Sequence, residues 1–311
     1  NEERAREFAS KYGCEWTTSV DELVTSDVAA ISVATPDYAH FEPVMALLKA
    51  GKHVLVEKPL TTDLSEALKL EAAAQEQGVV AMVDFHQRWN PDCMLIKEAI
   101  ESGKIGDPFM GYFRLSDAID VALQWLPWAG RSGPEWFLFP HTMDLANWLL
   151  GAEPQSVFAR GHRGILDSKG IAAWDAIQAT VSYGDAFVTF ESSWVVPNAS
   201  PSVLDAEITL YGDSGKVAYD MDYAGLAFTA GKHEYSWVPL GVKDRYGRLN
   251  NWLYEPMRYF IDTIAGKQPL ESGFSAGVLV TAMVTAVEAS LAQEKEINIQ
   301  DLIEATRRTL A

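Results

Sequence analysis

The stretch that decides the fold is Val54-Leu55-Val56-Glu57-Lys58-Pro59-Leu60, an apolar run that ends in a Glu-Lys pair and a proline. Continuous apolar runs of this length are typical of strands buried on both faces of an open α/β sheet. Ligands of such sheets bind in the crevice beyond the carboxyl ends of the strands. The pattern predicts that Lys58 lies at this crevice, on backbone stiffened by Pro59. There its amine can lose part of its pKa and exchange protons. The alternative is an exposed Glu-Lys pair at the end of a strand.

Apolar runs of strand length also occur at residues 28–34 and 79–85, before and after this segment. The helix-like segments between the runs end at Gly51 and Gly78, and glycine favours helix ends. Strands that alternate with helices predict a parallel sheet with right-handed crossovers. Three strand ends would then bring their following residues to one rim: Thr35-Pro36, Glu57-Lys58 and Gln87-Arg88.

The helix that follows the first strand is predicted to start at this rim. Thr35 is expected to cap it and Pro36 to occupy its first turn. The next helix is expected to start after Thr62 and Asp63, before the run that begins at Leu64.

The pattern changes after residue 108. A linking helix is predicted over 91–103. The short alternating runs that follow it, with turns between them, predict strands at 109–115, 156–163, 176–183, 186–194, 206–211 and 216–219. A further hairpin is predicted from 226–229 and 234–238. Helices near 252–265 and 275–293 close the chain. We therefore predict a Rossmann-type α/β parallel sheet in residues 1–90, followed in residues 91–311 by an α+β domain with a large mixed or antiparallel sheet.

Composition narrows the possible partners. The 311 residues carry a net charge of −18, which argues against nucleic acid or an anionic membrane surface as a partner. Cys14 and Cys93 are the only cysteines and are far apart, so we expect no disulfide framework and no metal site. No apolar stretch is expected to reach the length of a membrane span, and no signal peptide is visible, so we expect a cytoplasmic protein.

Several motifs together resemble the Gfo/Idh/MocA (glucose–fructose oxidoreductase, inositol dehydrogenase) family of nicotinamide-dependent oxidoreductases. The similar segments are the turn from Thr35-Pro36 to His40, Gly51-Lys52-His53-Val54-Leu55-Val56-Glu57-Lys58-Pro59, Arg88-Trp89-Asn90-Pro91, His141-Thr142-Met143-Asp144 and Gly212-Asp213-Ser214-Gly215-Lys216. The resemblance covers essentially the whole chain. It implies NAD or NADP as the cofactor and a homodimer or homotetramer.

The family's Gly-x-Gly-x-x-Gly phosphate loop does not occur in this sequence. The chain opens with a helix-like segment over residues 2–12, where the family would already have completed its first strand, loop and helix. We expect one βαβ unit, ~30 residues or more, to precede Asn1 in the complete protein. The expected truncation of the Rossmann-type sheet would place the pyrophosphate-binding glycines in that unit.

Lys58 and His141 are the predicted catalytic residues, Lys58 by its position and by the resemblance. His141 comes just before Thr142. We expect Thr142 to cap a helix over residues 143–150, and Gly151 to end that helix. A histidine there would point into the cleft and share a proton with substrate, whereas a lone histidine is otherwise more often structural. Asp144 is expected to complement the helix dipole or to orient a neighbour.

The chain departs from the resembled family at Phe137, four residues before the histidine, where many relatives have an aspartate. A phenylalanine cannot exchange a proton, so a Lys-Asp-His trio is excluded as the sequence stands. A Lys58–His141 pair remains possible, with Glu135 as a substitute acid. A catalytically silent binder is a further alternative.

The segment 123–136 supplies aromatic and cationic candidates. Aromatic faces suit a sugar or cyclitol ring, and a guanidinium suits anionic oxygens. Besides Lys58 and His141, the predicted substrate-binding residues are Trp125, Glu135 and Trp136. The predicted cofactor-binding residues are Thr35, Pro36, His40, Glu57, Lys58, Gln87, Arg88, Trp128 and Arg131. Core packing is the alternative for each tryptophan.

These features predict a dehydrogenase or reductase that acts on a hydroxyl of a sugar, cyclitol or related polyol, with Lys58 as proton donor or acceptor. The alternatives are redox-assisted elimination or glycoside cleavage with bound NAD, and a non-catalytic sugar- or cofactor-binding regulator. Alternation over 187–192 suggests that neither sheet face is strongly polar, so the C-terminal sheet is the expected oligomer interface.

Overall fold

A computed structural model describes residues 1–220, 225–230, 232–236, 242–243, 249–250 and 252–310, with only the backbone of the strands between residues 225 and 250. In the first part of the chain, three short parallel strands alternate with helices. The elements are α1 (Glu2–Tyr12), α2 (Val20–Thr25), β1 (Ala30–Val33), α3 (Phe41–Lys49), β2 (His53–Val56), α4 (Leu64–Gln77), β3 (Ala81–Val83) and α5 (Pro91–Glu101).

The parallel sheet has the order β1-β2-β3, with Val33 beside Val56 and Val56 beside Val83. This register aligns the carboxyl ends of the three strands, so the predicted Rossmann-type sheet and its common rim are confirmed. A 3-10 helix, Asp37–Ala39, follows β1, and another, His86–Trp89, follows β3.

One predicted helix cap in this part of the chain is wrong, and one predicted helix start is confirmed. Thr35 does not cap a helix, because its hydroxyl donates to the Ala39 carbonyl at 3.0 Å across the 3-10 turn, and α3 begins later, at Phe41. Helix α4 begins at Leu64 as predicted, and its cap is Asp63, whose carboxylate accepts from the Glu66 N–H at 3.0 Å. Gly78 ends α4 in the left-handed region, where glycine pays no Cβ penalty.

The second part of the chain contains a large mixed sheet and, among the described residues, five α-helices. The strands are β4 (Pro108–Asp117), β5 (Ser156–His162), β6 (Ala176–Ser182), β7 (Phe187–Ser193), β8 (Leu204–Gly212), β9 (Gly215–Asp220), β10 (Gly225–Ala230), β11 (Lys232–Ser236), β12 (Val242–Lys243), β13 (Leu249–Asn250) and β14 (Ile297–Asn298). The helices are α6 (Pro134–Phe137), α7 (Phe139–Leu150), α8 (Glu255–Ile264), α9 (Phe274–Gln293) and α10 (Ile299–Leu310).

Nine strands form the large sheet in the order β11-β10-β9-β8-β4-β7-β6-β5-β14. Its β4–β7 pair is parallel and its other pairs are antiparallel, so the predicted mixed sheet is confirmed. The predicted strands and hairpins are present, with ends displaced by at most two residues, and residues 237 and 238 of the last predicted strand lie outside the described residues. The final helix α10 was not predicted.

The open face of this sheet carries apolar as well as polar side chains, with Phe158 39% and Phe187 44% exposed on it. Along β7, Val188 and Phe190 are buried beneath the helices, whereas Thr189 and Glu191 alternate with them on the other side. Glu191 accepts hydrogen bonds there from Tyr112 at 2.9 Å and Gln178 at 2.7 Å. Alternation of apolar and polar side chains is what a sheet covered on one face requires. The oligomer interface through this face stays a prediction.

Helix α9 lies in the middle of the core, and its composition corrects another expectation. Phe274–Gln293 is long and apolar enough to cross a membrane, contrary to the expectation that no stretch reaches that length. Its most apolar window is 61% buried within the protein, as the core helix of a globular protein would be. Ser272, just before α9, makes two hydrogen bonds with Val83. Its hydroxyl donates to the Val83 carbonyl at 2.7 Å, and its backbone carbonyl accepts from the Val83 N–H at 2.8 Å. The C-terminal part of the chain thus returns to the edge of the first sheet.

Candidate active site

Lys58 lies at the centre of the candidate site, immediately after β2. Its Nζ donates a 2.8 Å hydrogen bond to the Phe137 carbonyl and lies 4.1 Å from the centre of the Phe137 ring. Burial lowers the pKa of Lys58, against the opposing effect of nearby carboxylates. Deprotonation at physiological pH therefore costs less free energy than for a solvated lysine, as acid–base chemistry requires.

Four carboxylates surround the amine: Glu57, Asp37, Asp117 and Asp84, in decreasing order of their effect on its pKa. Burial raises the pKa of Asp84 to about 7 and that of Asp117 to about 6, and the Lys58 charge opposes both shifts. Asp117 ends β4 and accepts from Trp194 Nε1 at 3.1 Å. Asp84 Oδ1 is buried and has no hydrogen-bond partner among the described residues.

Two histidines stand beside the amine, His141 on α7 and His86 after β3. Their ring centres are 4.8 Å apart. Burial, then the Lys58 charge, lowers the pKa of both, that of His86 to about 4. Both rings are therefore neutral near pH 7, and a neutral ring has one nitrogen that donates and one that accepts. His141 Nδ1 is buried without a hydrogen-bond partner among the described residues.

A cavity of about 200 Å³ opens against both histidines. Gln87 and Thr142 line it on the same side, and Trp252 lies with its ring centre 5.6 Å from that of His86. The large sheet supplies the apolar wall, from Leu115, Leu204, Ala206, Ile208 and Tyr219. An apolar cavity with a few polar groups at one side is typical of a small-molecule site.

Helix α7 differs from its prediction at the N-terminus. It begins at Phe139, so His141 and Thr142 lie within its first turn and Thr142 is not the cap. The Thr142 hydroxyl instead donates to the Phe139 carbonyl at 3.3 Å. The helix starts early because Pro140 fits a first turn, where no N–H is needed. Gly151 ends α7 in the left-handed region, as predicted.

His40 connects two of the loops at the rim. Its Nδ1 lies 2.7 Å from the Pro59 carbonyl and its Nε2 lies 2.9 Å from the Thr35 carbonyl. The ring is buried, so these contacts hold the loop after β1 against the loop after β2. Pro36 precedes the 3-10 turn in this loop, and Glu57 follows β2 directly. His40 therefore positions the rim, and its ring nitrogens are engaged with the backbone.

Arg88 is similarly engaged, with Asp144 of α7. Its Nε and Nη2 donate to the two Asp144 oxygens at 2.8 and 2.6 Å, and Nη1 lies 3.6 Å from Glu271. Arg88 and Asp144 are both buried, and a bidentate pair of this kind fixes one segment against another. The pair holds the loop after β3 against α7, which carries His141.

The aromatic segment divides between surface and core. Trp125 is 59% exposed and lines a separate cavity of about 210 Å³ with Asp120, Asn198, Ser200 and Ser202. Trp136 is 5% exposed within the main core, and its Nε1 donates to Glu288 at 2.9 Å. The Trp136 ring is thus enclosed by protein, as the core-packing alternative expected.

Trp128, Arg131 and Glu135 lie between these two tryptophans. Arg131 Cζ stacks 3.7 Å from the ring centre of Tyr38, on the loop after β1. Trp128 Nε1 is buried without a hydrogen-bond partner among the described residues, and so is Glu135 Oε2. Burial, then the charge of Glu288, raises the pKa of Glu135 to about 7, so the carboxyl can hold a proton near neutrality.

Family comparison agrees with this geometry. Residues 1–85 match the model of an oxidoreductase family with an NAD-binding Rossmann fold (GFO/IDH/MocA), and residues 94–218 match the GFO/IDH/MocA C-terminal domain. Together the two matches cover more than half of the chain. The chain belongs to the GFO/IDH/MocA family. It is an NAD(P)-dependent oxidoreductase of CH–OH groups, with NAD or NADP as its cofactor.

Two curated relatives represent the similarity in sequence. Myo-inositol 2-dehydrogenase of Thermotoga maritima is 26% identical over 97% of this chain and 90% of its own length. The NADP⁺-dependent scyllo-inositol 2-dehydrogenase of Bacillus subtilis is 30% identical over 73% of this chain and 63% of its own length.

Solved structures of the same fold cover nearly the whole chain. Levoglucosan dehydrogenase in complex with NADH and L-sorbose has a TM-score of 0.83 at 23% identity, over 96% of this chain and 87% of that one. An oxidoreductase from Agrobacterium radiobacter, in complex with NAD⁺, L-tartaric acid and magnesium, has a TM-score of 0.84 at 19% identity, over 97% and 90%.

The residues at the rim fit a nicotinamide cofactor. Asp84 Oδ1, Trp128 Nε1 and His141 Nδ1 are buried polar atoms without hydrogen-bond partners among residues 1–220 and 252–310. Buried polar atoms are normally hydrogen-bonded, so these three suit a bound polar molecule. Asp84 follows β3, and the His141 ring lies 4.8 Å from that of His86 after the same strand, at the edge where α/β folds bind nucleotides.

Sequence analysis missed three members of the site. His86 begins the 3-10 helix after β3, so the strand-end argument that selected Gln87 and Arg88 could have found it. Asp84, two residues earlier, could have been found by the same argument that selected Glu57 and Lys58 after β2. Asp117 could not be predicted from the sequence. It is the last residue of β4 in the second sheet, and no local pattern shows which strand of that sheet ends beside Lys58.

Proposed function

We propose that this oxidoreductase interconverts a secondary alcohol and a ketone on a sugar, cyclitol or related polyol, with Lys58 as the group that takes and returns the hydroxyl proton. The observation that carries the proposal is a buried amine with a lowered pKa, next to two neutral histidines and a cavity. Inositol dehydrogenases among the relatives support the substrate class.

In the direction of oxidation, the neutral Lys58 amine would accept the proton as the substrate O–H bond breaks. The bound cofactor supplies the hydride acceptor in its oxidised nicotinamide. His141 would orient the reacting hydroxyl through its unpartnered Nδ1. Exclusion of water by the apolar wall of the cavity would strengthen these polar contacts.

The remaining predicted contacts divide by location. The residues proposed to hold the cofactor are Thr35, Pro36, Glu57, Gln87, Trp128 and Arg131. His40 and Arg88 would position the rim through their contacts with Pro59 and Asp144. Glu135 is proposed as a second proton-holding group and Trp125 as an outer contact for a larger substrate. A cytoplasmic location and self-association stay predictions.

The test is formation of reduced cofactor with a panel of inositols, aldoses and polyols, using the full-length protein with NAD⁺ or NADP⁺. Lys58→Ala is expected to lower kcat/KM by about 10²- to 10⁴-fold, the usual contribution of a positioned acid–base group. Lys97→Ala is the matched control, because Lys97 on α5 places its amine over the Trp148 ring of α7 and does not line this cavity. Wild-type turnover by Lys58→Ala would refute the assignment.

A further inference from the structure

We propose that Asp84 is the proton partner of Lys58, whose carboxylate takes over the proton that the amine removes from the substrate hydroxyl. The inference rests on the proposed function, because it adds a second proton step at the same site.

The backbone fixes Asp84 next to the amine-bearing segment. Asp84 follows β3 directly, and its N–H donates to the Val56 carbonyl at 2.8 Å. Val56 is the last residue of β2, two residues before Lys58. The carboxylate is therefore anchored across one ladder of the parallel sheet from the Glu57-Lys58 pair, and its position does not depend on a flexible loop.

One oxygen of Asp84 is free to receive a proton. Asp84 Oδ1 is buried and has no hydrogen-bond partner in the described part of the chain. Two other carboxylates near Lys58 already accept hydrogen bonds: Asp117 from Trp194, and Asp37 from the Ser132 hydroxyl and from the Tyr38 N–H. An unpaired buried carboxylate costs free energy, which protonation would relieve.

The charges of Lys58 and Asp84 act on each other. Asp84 raises the pKa of Lys58, and Lys58 lowers the pKa of Asp84. Burial acts in the opposite sense on both: it lowers the pKa of the amine and raises that of the carboxyl to about 7. A smaller difference in proton affinity makes transfer between the two groups easier than it would be in water.

The histidines provide a route from Asp84 toward the cavity. Asp84 Oδ1 lies 3.9 Å from His86 Nδ1, and the His86 and His141 ring centres are 4.8 Å apart. Both histidines line the cavity. The charged groups that act on Lys58 are the carboxylates of Glu57, Asp37, Asp117 and Asp84, and the Lys58 charge in turn lowers the pKa of His86 and His141. Of these carboxylates, Asp84 is the one that lies within 4 Å of His86 and has an unpartnered oxygen among the described residues.

Oxidation then consists of one hydride transfer and two proton transfers. The substrate O–H bond breaks and an N–H bond forms on Lys58, while the carbinol C–H pair leaves as hydride to the oxidised nicotinamide, which is reduced. The N–H bond then breaks and an O–H bond forms on Asp84, so the carboxylate becomes a carboxylic acid and the amine is neutral again. Reduction of the ketone follows the reverse order.

The test compares Asp84→Asn with Asp92→Asn in the full-length protein. Asp92 is a suitable control because it is also a carboxylate with a buried unpartnered oxygen, and burial raises its pKa to about 6, but it does not act on Lys58. Asp84→Asn is expected to lower kcat at least about 10-fold with little change in KM. Formate is expected to restore part of kcat to Asp84→Ala, whereas Asp92→Asn keeps kcat.

A second readout needs no turnover. The pH dependence of Lys58 acetylation by acetic anhydride, followed by mass spectrometry, is expected to move to lower pH in Asp84→Asn, because a negative charge next to the amine is lost. Asp92→Asn should leave it in place. Wild-type kcat in Asp84→Asn, or no formate rescue in a folded Asp84→Ala, would overturn the inference. If Lys58→Ala is inactive in the same assay, that outcome leaves the proposed function standing.

Discussion

The Lys58 amine makes two contacts with Phe137: its Nζ lies 2.8 Å from the backbone carbonyl oxygen and 4.1 Å from the centre of the ring. Phe137 occupies the position where many members of the family have an aspartate. The backbone carbonyl and the ring face thus hold the amine without a carboxylate at that position. Other carboxylates, Asp84 and Asp117 among them, act on the amine from neighbouring strand ends.

Replacement of the Phe137 ring should change the amine and leave the carbonyl contact in place. Phe137→Leu removes the cation–π contact, worth about 0.5–2 kcal/mol for the charged form. The pKa of Lys58 should therefore fall by up to about one unit, since one unit corresponds to about 1.4 kcal/mol. The acetylation–pH profile of Lys58 measures this shift. A profile identical to that of the wild type would show that the ring does not stabilise the ammonium.

The pH dependence of oxidation should report the same amine. Because burial lowers the pKa of Lys58, the neutral form needed to accept a proton becomes populated below the ordinary range of lysine. kcat/KM for oxidation is expected to rise with pH through this lowered pKa and then level off. In Lys58→Ala the residual rate should lack this limb. A limb of the same midpoint in Lys58→Ala would assign the titration to another group.

Asp84 should carry a signature in stability as well as in rate. Its pKa is raised to about 7 in the folded protein from an ordinary value of 3.8, so the folded state binds its proton more tightly than the unfolded state does. This contribution to the free energy of unfolding is therefore present below pH 4 and is lost as the pH rises through about 7.

Asp84→Asn removes the titrating carboxyl, so the variant should not lose this part of its unfolding free energy as the pH rises. The free energy of unfolding of the variant relative to wild type should grow between pH 4 and pH 8, by a few kcal/mol at most, at about 1.4 kcal/mol per unit of pKa shift. Urea unfolding at several pH values measures the difference. A pH-independent difference would show that Asp84 ionises in the folded protein without penalty.

The Arg88–Asp144 pair should stabilise the junction between the first sheet and α7. Asp144→Asn leaves the buried guanidinium with only Glu271, at 3.6 Å, and is expected to cost about 3–5 kcal/mol of unfolding free energy. Glu255→Gln, which removes the partner of the exposed Arg258, should cost less than about 1 kcal/mol. Urea unfolding compares the two. Equal losses would mean that burial adds nothing to the Arg88 pair.

Gly277 allows α9 to approach the loop that carries Lys58. A Cβ at this position would lie 2.8 Å from Leu60 Cβ and 2.9 Å from Val83 Cγ2. Gly277→Ala should therefore lower the free energy of unfolding by about 1–3 kcal/mol despite the better helix propensity of alanine. Ser275→Ala, at an exposed position of the same helix, should change it by less than about 0.5 kcal/mol. A stabilised Gly277→Ala protein would show that the contact relaxes without cost.

The course of the fold was predictable because strand runs, helix-ending glycines and hairpin turns are local signals. Gly78 and Gly151 ended their helices as predicted. Thr35 and Thr142 failed as caps because each hydroxyl donates to a backbone carbonyl, a local alternative to capping that the residue type does not reveal. The hydrogen bonds on the open face of the large sheet could not be predicted, because partners such as Tyr112 and Glu191 are 79 residues apart in the chain.

The site was only partly accessible to sequence analysis. The strand-end argument found Lys58, and the family resemblance added His141. Packing across the chain then decided which neighbours meet them: Trp136 lies in the core, whereas Asp117 comes from the second sheet to act on Lys58. Such contacts join residues that are distant in sequence, and no motif spacing encodes them.

The central claim is that the Lys58 amine carries the substrate proton, and rescue of Lys58→Ala by small primary amines tests it most directly. With the best polyol substrate and saturating cofactor, added ethylamine should restore cofactor reduction in proportion to its neutral form, while Lys97→Ala and wild type should not respond. Substantial turnover by Lys58→Ala without added amine would contradict the claim.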